Sequence, residues 1–185
     1  QGDGDMEFTD VTIEENEGFG IDGDSISLFT NVNIIGNQEN GMISNGNKTF
    51  QNVHIDGNGG DGINGSGSLE INISSIDDNG GYGITGATGS FVADSSTVSG
   101  NGNYAVSSTC SLVFTFVDVN DNGGGLSGSG TADFYTVNIN NNGEYGMNSA
   151  GTKTFETVSV SGNGGYGVQG DGDMEFTDVT IEENE

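Results

Sequence analysis

Asp3 and Asp5 with Asp22 and Asp24, and further on Asp56 with Asp77 and Asp78, are carboxylates grouped closely enough to do chemistry. Asp24 follows Asp3 by 21 residues, and Asp77 follows Asp56 by the same interval. If the fold superimposes residues at that interval, each pair is a set of like charges about 5 Å apart, which repel unless a proton or a cation intervenes. The cation best suited is Ca²⁺, a hard ion that takes about six to eight oxygens from carboxylates and turn carbonyls. Ordered Ca²⁺ at these seven aspartates and freely solvated acidic turns are both open readings of the pattern.

Neither short Gly-Asp stretch completes a known Ca²⁺ loop. "DGDGD" lacks the central Gly at the required place and the closing Glu of an EF-hand. "GGDGINGSG" looks once like a Ca²⁺-binding nonapeptide, and the match does not recur.

Asp77 with Asp78, or Asp118 with Asp121, can be read as a carboxylate pair for acid–base work. The chain has no Arg, a single His and only Lys48 and Lys153. His54 stands between Val53 and Ile55, so alternation turns it outward. Cys110 is the only thiol and reads as a small interior residue. The residue set therefore points away from an enzyme.

Twenty-eight acids against two Lys give a formal net charge of −26. Nucleic acid and anionic membrane surfaces are excluded as partners, because both require basic residues to replace counterions. Cations are the natural company of this chain.

The elements that must position these acids are set by repetition. Asn16, Asn37, Asn58, Asn79, Asn101, Asn122, Asn142, Asn163 and Asn184 recur at steps of 20 to 22 residues. Three residues before each stands Ile or Val, and two before that is mostly Val. An aromatic column precedes these, with Phe8, Phe29, Phe50, Phe114, Phe134, Phe155 and Phe176, interrupted by Ile71 and Ala93. A Gly-apolar pair follows most of the Asn, as in Gly20-Ile21 and Gly62-Ile63. Such short alternating stretches, separated by Gly, Asn, Asp and Ser, predict three short strands per coil rather than helices.

Parallel coils stacked about 4.8 Å apart turn each column into a physical stack. Phe, Val and Ile then fill the interior, and Asn forms a ladder in a turn, each amide donating to one neighbour and accepting from the other. Tyr82, Tyr104, Tyr145 and Tyr166, with Phe19, stand just before the Gly-apolar pair. They read either as a stack shielding the Asn ladder or as a stripe that meets sugar or a neighbouring fibre.

The pattern V-x-I-x-x-N-x-x-x-G-I, as in "VTIEENEGFGI" and "VHIDGNGGDGI", resembles the right-handed parallel β-helix repeat of the pectate-lyase-like superfamily. The resemblance covers the whole chain and implies an all-β solenoid, with right-handed coiling supplied by the resemblance alone. It implies an adhesin or surface-fibre type, because the Arg base on which lyases of the superfamily generally rely is missing.

Residues 169–185 repeat residues 1–17 letter for letter. The expectation is an eight-coil block over 1–168 followed by the start of an identical block, hence an uncapped slice of a longer array. Residues 1–168 carry 21 acids and two Lys, a net of −19. Spread over roughly 38 Å of axis, that is about one charge per 2 Å, near the spacing in duplex DNA.

Three functions fit: a structural filament, the stalk of an adhesin or passenger domain, and a polysaccharide-active enzyme. Even coil lengths, with no inserted loop to build a cleft, favour the filament. Its expected partners are further copies of the block, joined covalently or head to tail, with neighbouring fibres or polysaccharide beside it. The composition suits an extracellular or cell-surface location.

Overall fold

The computed structural model describes residues 4–24 and 27–185. The chain winds into a parallel β-solenoid of about eight turns, with about 21 residues to the turn and no helix among the described residues. One sheet is built from the longer stretches, beginning with Met6–Glu14, Ser27–Ile35 and Lys48–Asp56 and ending with Met174–Thr177 and Thr180–Glu182. A second sheet collects the short Gly-apolar strands, from Ile21–Asp22 and Met42–Ile43 to Val168–Gln169. Every strand pair is parallel, and like residues lie over like: Phe8 on Phe29, Val11 on Val32, Ile13 on Ile34.

The spacing of Phe and Val has a backbone cause. In a straight strand, residues three apart face opposite sides. Here the residue just before the Val column, which Ser74 and Ser96 fill in two coils, takes a left-handed conformation, at Asp10, Asn31, Asn52, Ile73, Ser95, Phe116, Thr136, Thr157 and Asp178, with φ between 48° and 56°. This corner inserts one outward residue, so Phe and Val both turn inward. A second left-handed corner precedes each ladder Asn, filled by Gly36, Gly57, Gly100 and Gly162 or by Glu15, Asp78, Asp121, Asn141 and Glu183.

The interior follows the columns. Phe29, Phe50, Phe114, Phe134 and Phe155 are buried, while Phe8 is partly covered and Phe176 remains half exposed. Neighbouring rings lie 4.8 to 5.5 Å apart, stacked or edge-on, geometries worth about 0.5–1.5 kcal/mol each beyond area burial. Where Ala93 leaves the column empty, Phe91 turns in from two residues upstream and meets Phe114 edge-on at 5.0 Å.

The predicted Asn ladder is continuous. Each Asn from Asn16 to Asn163 donates both its backbone N–H and its Nδ2 to Oδ1 of the next ladder Asn, at 2.7 to 3.2 Å. From Asn37 to Asn184, Nδ2 also donates to the Ile or Val carbonyl one coil back, as from Asn58 to Ile34 at 3.1 Å. The Gly of the Gly-apolar pair lies against this ladder: a Cβ on Gly62 would stand 2.7 Å from the Gly83 carbonyl and 2.9 Å from Asn79 Nδ2. Ala105 is the departure from that column, and the coil after it has the shortened turn, with two residues instead of three between Asn122 and Gly125.

Left-handed corners cost an ordinary side chain about 1–2 kcal/mol, least for Asn and Gly. Ile73 and Phe116 occupy such corners with their side chains exposed. Ile73→Asn and Phe116→Asn are each expected to stabilise the fold by about 1 kcal/mol, read as a higher urea midpoint at unchanged slope.

Candidate functional site

The sequence-predicted acidic groups separate in the structure. Asp3 lies outside the described residues, and so does its stacking with Asp24. Asp5, Asp22 and Asp24 are exposed, and the Asp24 carboxylate accepts from Asn45 Nδ2 at 2.8 Å. Among the described residues, no three of His, Cys, Asp and Glu converge at a spacing that would hold a metal ion.

The second group does meet. Asp56 pairs in register with Asp77, and Asp78 follows at the left-handed corner. With His54, Ser75 and Ser99 they line a groove of about 460 Å³ on the outer wall. Asp77 Oδ1 accepts from the Ser99 hydroxyl at 2.7 Å and from the Ser99 backbone N–H at 3.1 Å. Desolvation, with the Asp78 and Asp77 charges behind it, pushes the Asp56 carboxyl above its ordinary value, and His54 opposes the shift. His54 faces outward, with Nδ1 2.7 Å from the Ser75 hydroxyl.

The two lysines, to which sequence reasoning gave no role, are the buried ions of the structure. Lys48 and Lys153 are 3% and 0% exposed, and they share one interior column with Ser27, Leu69, Phe91, Leu112, Ala132 and Met174. Lys48 Nζ donates to the Gly46 carbonyl at 2.6 Å and, one coil on, to the Ser66 carbonyl at 2.9 Å. Lys153 Nζ repeats this with Gly151 at 2.7 Å and Asp171 at 3.0 Å. A signal was present in the sequence: both stand in K-T-F, two residues before an inward Phe, which in a strand is the same face.

Desolvation lowers both ammonium groups, Lys48 from 10.5 to about 8, and Lys153 in the same direction against an opposing Asp171 charge. Either protonation state of Lys48 keeps enough N–H groups for its two carbonyls.

The aromatic column splits in two. Tyr82 and Tyr104 stack at 6.4 Å and Tyr145 and Tyr166 at 6.0 Å, while Gly124 occupies the position between them. The missing side chain opens a notch through which the Tyr104 hydroxyl donates to the Glu144 carboxylate two coils away. That bond pushes the Tyr104 phenol up to about 12. On another face, Phe116 and Tyr135 are exposed and meet edge-on at 6.1 Å. Cys110 is buried and free, as its size suggested.

No protein-family model matches the chain, and no curated protein or solved structure matches it either.

The Lys48 shift sets a pH dependence. Between about pH 8 and 10.5 the unfolded chain holds the proton that the folded chain has released, so this group makes stability rise with pH. Lys48→Met removes that contribution. Urea midpoints across this window, taken for wild type minus variant, are expected to rise from low to high pH.

Proposed function

We propose that the chain is a non-catalytic structural segment of an extracellular or cell-surface filament, extended by further copies of its 168-residue block. One observation carries this reading: parallel pairing and the Asn ladder pass through every coil without interruption. Such a body transmits load along its axis in the way a stiff fibre requires. Both cations are interior while the acids line the turns and outer faces, so the fibre gathers a layer of counterions.

Electron microscopy with fibre diffraction of the material from its source tests the filament. Unbranched fibres with an axial repeat near about 4.8 Å are expected, and discrete short rods would overturn the reading. A stalk that displays a binding tip is the second reading. It draws on the exposed Phe116–Tyr135 pair, which offers an aromatic surface to a polysaccharide or a neighbouring fibre.

Within the counterion layer, the Asp56–Asp77 groove is a place where Ca²⁺ would relieve repulsion, since the Asp78 and Asp77 charges add to desolvation in raising the Asp56 carboxyl. Acidification relieves the same strain. As pH falls through the raised value, the folded chain takes up its proton before the unfolded chain does, and this group's contribution to stability rises. Millimolar Ca²⁺ at neutral pH is expected to raise the thermal midpoint of the wild type more than that of Asp77→Asn. Equal shifts would assign the ion to diffuse screening.

A further inference from the structure

Asn followed by Gly is a chemically labile pair. The Gly nitrogen, uncrowded by a Cβ, attacks the Asn side-chain carbonyl carbon, closing a succinimide ring and releasing the amide nitrogen as ammonia. The chain carries nine such pairs: six on the ladder, from Asn58 to Asn163, and three elsewhere, at Asn40, Asn45 and Asn64.

The fold holds eight of the attacking nitrogens. Each Gly after a ladder Asn donates its N–H to the carbonyl of the ladder Asn one coil back at 2.8 to 2.9 Å, as Gly80 does to Asn58. Gly41 donates to the Asp61 carbonyl at 2.9 Å, and Gly65 to the Thr85 carbonyl at 3.1 Å. A nitrogen so engaged cannot turn onto its neighbour's Cγ without giving up a bond that ties two coils together.

Asn45-Gly46 is the exception. Among the described residues the Gly46 N–H meets no backbone carbonyl, and its acceptor is the Ser44 hydroxyl at 3.5 Å. The surroundings of Asn45 suit the reaction. Its Oδ1, where negative charge develops as the nitrogen attacks, accepts from the Ser66 backbone N–H and from the Ser66 hydroxyl, both at 3.3 Å. Its Nδ2, the leaving nitrogen, donates to Asp24 at 2.8 Å. Asn45 is also exposed, so water reaches the ring that would form, whereas the six ladder Asn are buried.

We propose that Asn45 is a self-modification site, at which the folded chain deamidates through a succinimide. The bond from Gly46 N to Asn45 Cγ forms and the Cγ–Nδ2 bond breaks. The Ser44 hydroxyl accepts the Gly46 proton, solvent returns a proton to Nδ2, and ammonia leaves. Solvent water then opens the ring to aspartate or isoaspartate at position 45. The product places a second negative charge beside Asp24 and removes the donor that Asp24 had. Isoaspartate also lengthens the main chain by a methylene just before Gly46, whose carbonyl binds the Lys48 ammonium at 2.6 Å. This coil corner thus carries a slow, irreversible charge switch, which does not depend on the filament reading.

Peptide mass spectrometry of the full chain, aged folded in neutral buffer beside a sample unfolded in urea, tests the site. Each Asn-Gly rate in the folded chain is divided by its own rate in urea. The Asn45 ratio is expected to exceed the other eight by about tenfold or more, the rate equivalent of one backbone hydrogen bond. Amide hydrogen exchange supplies a second measurement, in which the Gly46 N–H is expected to exchange at least about tenfold faster than that of Gly41, Gly65 or any ladder Gly. An Asn45 ratio no higher than the others overturns the proposal, and so does a Gly46 N–H as protected as theirs.

Discussion

A primary amide buried in a protein must satisfy two donors and an acceptor, and that requirement at the Asn column governs the rest of this structure. Each ladder Asn reaches the coils on both sides, so its bonds exist only when three successive coils are in register. The left-handed corner beside it aims the side chain inward, and the Gly-apolar pair leaves no Cβ in its way. All the Nδ2-to-Oδ1 bonds run in one direction along the axis, so each polarises the next. A one-coil slip would still match Asn to Asn. The irregular interior positions, such as Phe91 beside Ala93, set the absolute register.

Electrostatics follows from this geometry. A turn every few residues supplies carbonyls that point along the coil corner, and at two corners an ammonium gathers them. With the two lysines inside, the acids among the described residues stand on turns and outer walls. The interior ions therefore act on turn geometry rather than on the surface charge, while solvent cations must neutralise the surface.

The stacking was legible in the sequence because a solenoid repeats its own environment. Phe29, Val32 and Ile34 needed no distant partner to declare their direction, and the Asn column showed its spacing directly. Three features were less legible. The left-handed corner accepts residues as unlike as Asp10, Ile73 and Phe116, so no residue type marks it; only the three-residue step from Phe to Val does. Lys48 and Lys153 were obscured by their charge, although their position two before Phe placed them inside. The bond from Tyr104 to Glu144 depends on a deletion in the coil between them, which is a relation among three coils rather than a pattern in one. Of the acidic groups, the Asp56–Asp77 pair was readable from its 21-residue interval. Asp5, Asp22 and Asp24 do not come together in that way: Asp22 ends the short Ile21–Asp22 strand of the second sheet, while Asp5 stands just before Met6–Glu14 of the first.

The ladder's central role is tested most directly by Asn101→Ala in urea unfolding. Asn101 is 1% exposed, and its loss strands the buried Asn79 backbone N–H, removes one of the three acceptors of Asn79 Nδ2, and takes the amide donor from the Ile76 carbonyl. At about 1–3 kcal/mol for each unsatisfied buried group, a destabilisation of at least about 1 kcal/mol is expected. A change below about 0.5 kcal/mol, the range of ordinary surface substitutions, would contradict the account and leave the apolar columns to hold the coils together alone.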